Sequence, residues 1–220
     1  MTQQDKIIEV ARNLKESLMQ KLFTEGIGHT EFKDSEIGQI PKSWEVVSLG
    51  EIASVKYGKA NPKTTGNIPL VGSGGIYGWV ERPLVTFPTI VIGRKGTAGE
   101  VWLMELPSWP SDTTFYLEWK KQTEPRFLSG YLSLNKLSGE HARTTLPSLQ
   151  KFELEKIKIP LPSISEQEKI SQIMITVDKK TETEEKRKAV LQQLFKTMLH
   201  KLTTGEIKVK DLDLGVYGVN

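Results

Sequence analysis

The feature that most constrains this chain is a stretch of about 39 residues, from the residue after Ser165 to Thr204, with no glycine and no proline. Its apolar residues recur at spacings of three and four, the period of one face of an α-helix. At about 1.5 Å per residue, such a helix is about 58 Å long. The rest of a 220-residue chain cannot form a domain that covers this length. The apolar stripe therefore predicts a partner helix.

The ends and the middle of this helix also have recognisable signals. Ser165 is a plausible N-cap, and Glu168 three residues later completes a capping box. A charged segment at 179–188 divides the stripe into two halves. Exposed apolar surface of this extent predicts a two-fold symmetric homodimer with antiparallel long helices. The predicted dimer interface consists of Ile170, Ile173, Val177, Leu191, Leu194, Met198 and Leu202.

A second amphipathic helix at the N-terminus is repeated, in degraded form, inside the long helix. With an offset of 180, seven residues between 6 and 27 match their counterparts between 186 and 207. The matched residues are Lys6, Val10, Leu14, Lys21, Leu22, Thr24 and Ile27. A repeated unit usually packs against another copy of itself, so the chain either dimerises or is one unit of a tandem. Chance similarity of two Leu- and Lys-rich helices is the alternative.

Between the two helices the sequence has the signals of β-strands. Short apolar runs at 45–47, 68–71, 89–92, 100–103 and 114–119 are separated by Gly, Pro, Asn and Ser. One short helix is predicted over 126–136. The fold class is therefore α+β, a Gly-rich and mainly β domain followed by a long helix that pairs in an antiparallel coiled coil. We expect a helix and connector at 1–40, the β domain at 41–160, the long helix at 161–205 and a tail at 206–220.

The glycine-rich turns of the middle segment carry basic and hydroxyl side chains. Neither the turn near 72–78 nor the one at 93–99 has the spacing of a nucleotide-binding loop. Segment 41–160 holds 15 basic and 11 acidic residues, and Arg, Lys and hydroxyls on loops suit phosphates and guanine edges. Ordinary hairpin turns are the alternative. The DNA-binding candidates are Lys59, Ser73, Tyr77, Arg94, Lys95, Thr97, Arg143 and Thr144.

An enzymatic alternative rests on three residues. Asp112, Glu118 and Lys120 have a spacing similar to that of Mg²⁺-dependent nucleases, but such common residue types often occur at this spacing by chance, so the pattern favours a solvated strand edge. The three histidines are far apart in the sequence and have no metal-ligand spacing. With no cysteine, thiolate chemistry is excluded. We expect no catalytic residue, no metal and no cofactor; no membrane span is predicted, and cytoplasmic localisation is the default.

Six stretches, taken in order, resemble the specificity subunits of type I restriction–modification systems. Three of them are IGQIPKSWEVVSLGEI at 37–52, PLVGSGGIYGW at 69–79 and LEKIKIPLPSISEQEKI at 154–170. The others are IVIGRKGTAGEV at 90–101, SDTTF at 111–115 and TTLPSL at 144–149. Together the resemblance covers about residues 35–205.

The resemblance implies a DNA sequence-recognition subunit without catalysis of its own. Members of this family usually hold two target-recognition domains, each followed by a long helix, and each domain reads one half of a split site in double-stranded DNA. This chain would then hold one recognition domain and one spacer helix. Methyltransferase (M) subunits and a restriction/motor (R) subunit would supply the chemistry. A nuclease using Asp112, Glu118 and Lys120, or a coiled-coil scaffold that binds no DNA, are the competing interpretations.

Overall fold

A computed structural model describes residues 3–135, 137 and 149–207 of the chain. The helices are α1 (Gln3–Thr24), α2 (Leu49–Ile52), α3 (Pro125–Leu134), α4 (Lys151–Lys156) and α5 (Ile164–Thr203). The strands are β1 (Phe32–Ser35), β2 (Gly38–Pro41), β3 (Glu45–Ser48), β4 (Ala53–Tyr57), β5 (Ile68–Gly72), β6 (Gly75–Val80), β7 (Thr89–Gly93), β8 (Val101–Met104), β9 (Trp109–Pro110), β10 (Thr114–Trp119) and β11 (Lys158–Leu161). The predicted α+β class, the five predicted strands and the long helix are confirmed.

The chain divides into two compact units, and α1 and α5 each contribute to both. The recognition unit is Glu16–Met174, and the helical unit is drawn from Met1–Lys15 and Ile175–Asn220. Each unit has its own packing and is described separately.

The recognition unit is built on a four-stranded antiparallel sheet in the order β4-β10-β7-β8. All five residues of β7 are buried, as expected for a central strand that is covered on both faces. A three-stranded sheet, β6-β5-β9, and two two-stranded sheets, β1-β2 and β11-β3, complete the strands of the described residues. The β11-β3 pair joins the two ends of the β-rich segment in antiparallel register, from Lys158 opposite Ser48 to Leu161 opposite Glu45.

The main core lies between the four-stranded sheet and the helices. Phe23 of α1 packs edge-on against Phe127 and Tyr131 of α3, with ring centroids 5.4 and 5.8 Å apart. Gly130 lets α3 approach α1 and α5 closely, because a Cβ at this position would overlap Met174 of α5 and lie 2.9 Å from Phe23 Cζ of α1. The end of α1 and the beginning of α5 are therefore parts of the recognition unit's core.

This packing corrects one residue of the predicted dimer interface. Ile170 of α5 is fully buried in the core of its own recognition unit, so it has no surface to offer a partner. Ile173 is half-buried and packs against the same core. A helical period cannot distinguish a stripe that is buried within the chain from one that stays exposed. In the first half of the α5 stripe, Ile170 and Ile173 pack within the chain itself.

The beginning of α5 is fixed by the side chain of Glu166. Its carboxylate accepts hydrogen bonds from the Trp44 indole N–H (3.0 Å) and the Ile27 backbone N–H (3.1 Å), and it lies 2.8 Å from His29 Nε2. The helix begins at Ile164, and Ser163 Oγ accepts from the Glu166 N–H, so the predicted N-cap at Ser165 is wrong by two residues. Both serines are followed three residues later by a glutamate, and only packing selects between them.

The helical unit contains a cross-helix ion pair and a row of exposed apolar side chains. Lys15 Nζ of α1 lies 2.5 Å from Asp178 Oδ1 of α5. Val177, Met198 and Leu202 are half-buried, whereas Leu191 and Leu194 are exposed. Among the described residues of this unit, the exposed large apolar side chains are Val10, Leu14, Val190, Leu191, Leu194, Phe195 and Leu199.

The two long helices end in a similar way, with two threonines 180 residues apart and two glycines 179 residues apart. Thr24 and Thr204 each donate their hydroxyl to the carbonyl four residues earlier, at 2.9 and 2.8 Å. Gly26 and Gly205 then adopt left-handed backbone, with φ of 65° and 75°, which is the usual way for a helix to terminate. The similarity seen in the sequence is therefore also present in the local structure.

No helix in the described part of the chain is both long and apolar enough to span a membrane.

We predict that Glu166→Ala lowers the free energy of unfolding by about 3 kcal/mol, because the buried Trp44 indole N–H and the exposed Ile27 backbone N–H lose a charged acceptor and the half-buried His29 loses its partner. Glu166→Gln should cost less, since one acceptor oxygen remains. Urea denaturation followed by circular dichroism measures both variants.

The matched control is Glu168→Ala, which removes an exposed carboxylate from the same turn of α5. It should change stability by no more than about 0.5 kcal/mol. An unchanged unfolding midpoint for Glu166→Ala would show that these contacts do not hold the beginning of α5.

Candidate DNA interface

The turn at residues 111–114, between β9 and β10, is the centre of the candidate site. The Thr113 carbonyl accepts three hydrogen bonds, from Ser73 Oγ (2.6 Å), the Arg94 N–H (2.9 Å) and the Lys95 N–H (3.2 Å). The Ser111 and Thr113 hydroxyls are 2.8 Å apart. The two glycine-rich turns, after β5 and after β7, are therefore fastened to the same peptide group.

Two glycines permit this close packing of backbone on backbone. A Cβ on Gly93 would overlap the Thr97 carbonyl and lie 3.2 Å from Ser73 Cβ. A Cβ on Gly58 would overlap the Ser111 carbonyl. Any other residue at these positions would push the turns apart, which explains why glycine is dense here.

Lys59 reaches the same turn from the end of β4. Its N–H donates to the Pro110 carbonyl at 3.0 Å, and its carbonyl accepts from Trp109 Nε1 at 3.2 Å. The structure thus brings Lys59, Ser73, Arg94 and Lys95 together around residues 110–114. Thr97 belongs to the same cluster, because its carbonyl lies close to Gly93. Lys59, Ser73 and Arg94 are distant from one another in the sequence.

The predicted contacts differ in how accessible their side chains are. Lys59, Lys95 and Thr97 are exposed, and Tyr77 is 58% exposed with its ring lying against Gly72. Ser73 is corrected as a DNA contact, because it is buried and its hydroxyl donates to Thr113. Arg143 and Thr144 lie outside the described residues.

Arg94 is half-buried and lies over two aromatic rings. Its guanidinium carbon is 5.4 Å from the centroid of Tyr57 and 5.9 Å from that of Phe115. Nη2 donates to the Asp112 carbonyl at 2.6 Å, and Nε is buried with no hydrogen-bond partner among the described residues. The backbone carbonyl accepts from the Leu149 N–H at 3.0 Å.

Tyr57 and Phe115 are neighbours of Arg94 that the sequence analysis missed. They face each other across the β4–β10 register, with ring centroids 5.0 Å apart. Trp102 was also missed; its Nε1 donates to the Ser73 carbonyl at 3.2 Å, and its ring lies against Gly75. No signal in the sequence pairs these residues, because the contacts depend on strand register.

The three residues of the nuclease hypothesis do not form one site. Asp112 precedes β10, whereas Glu118 is close to its end and pairs with Lys56 at 3.1 Å. Thr114 and Glu118 alone are about 13 Å apart along a strand. Lys120 Nζ donates to the Gly50 carbonyl at 2.5 Å. Among the described residues, no group of three His, Cys, Asp or Glu side chains could hold a metal ion.

The middle of β10 carries a tyrosine, Tyr116, whose pKa is raised. Burial, and secondarily the Glu118 carboxylate, raise the pKa of the Tyr116 phenol. The hydroxyl therefore stays neutral well above neutral pH and does not add an anion to this part of the sheet.

A comparison with protein families identifies the domain. The family model described as the type I restriction modification DNA specificity domain matches residues 41–193. The match includes every described residue of the candidate interface and extends into α5.

Two relatives from Methanocaldococcus jannaschii align along almost the whole chain. The putative type I restriction enzyme MjaX specificity subunit is 31% identical over 227 residues, covering 94% of this chain and 53% of the relative. The type I restriction enzyme MjaVIII specificity subunit is 29% identical over 243 residues, covering 95% and 57%. The chain spans about half the length of these relatives.

Solved structures with low sequence identity share the fold. The S subunit of a type I restriction–modification system from M. genitalium has a TM-score of 0.65 at 22% identity, over 90% of this chain and 55% of that one. The HsdS subunit from Thermoanaerobacter tengcongensis has a TM-score of 0.64 at 18% identity, over 90% and 52%. Because the family match covers well over half of its 220 residues, this protein belongs to the type I restriction–modification DNA specificity domain family.

Proposed function

We propose that this chain is a non-catalytic DNA sequence-recognition component of a type I restriction–modification complex. The observation that carries the proposal is the cluster of exposed basic and hydroxyl side chains around residues 111–114, within a domain that matches the DNA specificity family. M subunits would methylate the DNA, and an R subunit would translocate along it and cleave it. We expect the complex to act in the cytoplasm.

The proposed contacts divide into two chemical classes. Lys59 and Lys95 are exposed cations that suit phosphate oxygens, which determine affinity and its salt dependence. Thr97 and Tyr77 present hydroxyls beside them, and hydroxyls can contact phosphates or base edges. Arg143 and Thr144 remain predictions from the sequence.

We further propose that two copies associate through the helical unit as an antiparallel, two-fold symmetric dimer. Leu194 is 55% exposed and Phe195 is 68% exposed, which leaves an apolar row that a monomer rarely presents to water. With one recognition unit per chain, an antiparallel dimer would read an inverted repeat, each unit taking one half-site. The length of α5 would then set the gap between the half-sites.

For the interface, we predict that Lys95→Ala weakens binding to all duplexes alike. Loss of one phosphate contact should reduce the slope of log affinity against log salt by about one. Fluorescence anisotropy with a pool of random-sequence duplexes, at several salt concentrations, measures both quantities.

Lys42→Ala is the control, because Lys42 is an exposed cation paired with Glu31 and away from the 111–114 turn. It should leave the slope unchanged. If Lys95→Ala also leaves the affinity and the slope unchanged, the turn after β7 does not face DNA.

For the assembly, we predict that Leu194→Lys converts a dimer into a monomer without unfolding the recognition unit. Placing a charge in the apolar row opposes its burial against a second helix. Sedimentation velocity at micromolar concentration gives the oligomeric state, and circular dichroism reports folding.

Gln193→Lys introduces the same charge on the opposite face of α5 and should leave the dimer intact. A wild-type chain that sediments as a monomer would contradict the proposed dimer, and so would dissociation by both variants.

A further inference from the structure

Arg94 has its hydrogen-bonding capacity turned toward the protein. Two of the three nitrogens with which an arginine fork can contact DNA are engaged or enclosed. Nη2 donates to the Asp112 carbonyl at 2.6 Å, and Nε is buried. A bidentate contact to guanine or phosphate requires two neighbouring nitrogens to face the ligand. In this arrangement, neither the Nη1/Nη2 pair nor the Nε/Nη2 pair of Arg94 is free to make a bidentate contact with DNA.

Two aromatic rings also fix the position of the Arg94 guanidinium. It lies over Tyr57 and Phe115, and Phe115 is buried in the core while Tyr57 is half-exposed above it. Stacking of a planar cation on aromatic faces is specific to arginine, since the compact ammonium of lysine cannot reproduce the plane or the fork.

We infer that Arg94 is a positioning residue, which holds the turn at 93–97 against residues 111–114 so that Lys95 and Thr97 face DNA. The Arg94 side chain bonds to Asp112, and the Arg94 and Lys95 N–H groups bond to the adjacent Thr113 carbonyl. Side chain and backbone therefore bind two adjacent peptide groups of the same turn. The orientation of Lys95 and Thr97 toward DNA rests on the proposed DNA-binding function. The attachment of the turn at 93–97 to residues 111–114 does not.

The substitution Arg94→Lys separates positioning from direct contact. Lysine keeps the charge and is itself a good phosphate ligand, so a direct phosphate contact would survive the change with affinity within about twofold. A positioning residue would lose both the stack and the fork. We then expect affinity for random-sequence duplexes to fall about tenfold, the cost of one charge-assisted hydrogen bond.

Two further measurements extend the test, and the second of them does not depend on DNA binding. In a Lys95→Ala background, Arg94→Lys should cause a smaller loss of affinity than in the wild type, because one of the two contacts that it positions is already absent. In the free protein, amide hydrogen exchange in the peptide covering 93–99 should accelerate in Arg94→Lys and stay unchanged in Lys95→Ala. If Arg94→Lys does not fold, Tyr57→Leu, which removes the exposed ring of the stack, should accelerate the same amides.

The outcomes of the proposed function and of this inference are distinguishable. If the wild-type chain binds no duplex, the proposed function fails, while exchange still decides the role of Arg94. Unchanged exchange in both Arg94→Lys and Tyr57→Leu overturns the inference, as does full retention of DNA affinity in Arg94→Lys.

Discussion

The antiparallel pairing of β3 with β11 is the contact on which the rest of the recognition unit depends. It places the first strand after the connector beside the last strand before α5, in a register that runs from Ser48 opposite Lys158. This pair adds to the packing of Phe23 and Met174 around Gly130, which also brings the end of α1 to the beginning of α5. With it, a glutamate at the first turn of α5 can bind the indole of Trp44 and the turn after α1 at once. Local pairing thus produces a long-range junction.

The candidate interface follows a similar logic on a smaller scale. Three donors from two separate turns converge on the carbonyl of Thr113, and glycines at 58 and 93 allow the backbones to touch. Rigid attachment lowers the entropy that the turns would lose on binding a ligand. A surface formed from turns can therefore be well defined, although turns are usually the most mobile parts of a domain.

Several parts of this structure could be predicted from the sequence, for identifiable reasons. The runs at 68–71 and 89–92 are apolar and bounded by turn residues, so their strands were recognisable, whereas β1 and β11 are short and become strands only by pairing. The stripe on α5 was correctly assigned to a helix, yet periodicity could not show that Ile170 is buried in its own unit. In the site, glycine-flanked Lys95 was predictable. The contact between the Tyr57 and Phe115 rings could not be predicted, because residues 58 positions apart meet only through strand register.

The shared ending of α1 and α5 has a consequence for how chains of this kind can be joined. In both helices a threonine hydroxyl closes the last turn, and a left-handed glycine follows within two residues. The direction in which the backbone leaves a helix is set by this local geometry, whatever follows it. A second copy placed after α5 would therefore begin from the same kind of turn as the one that follows α1, with the left-handed glycine one residue nearer to the threonine.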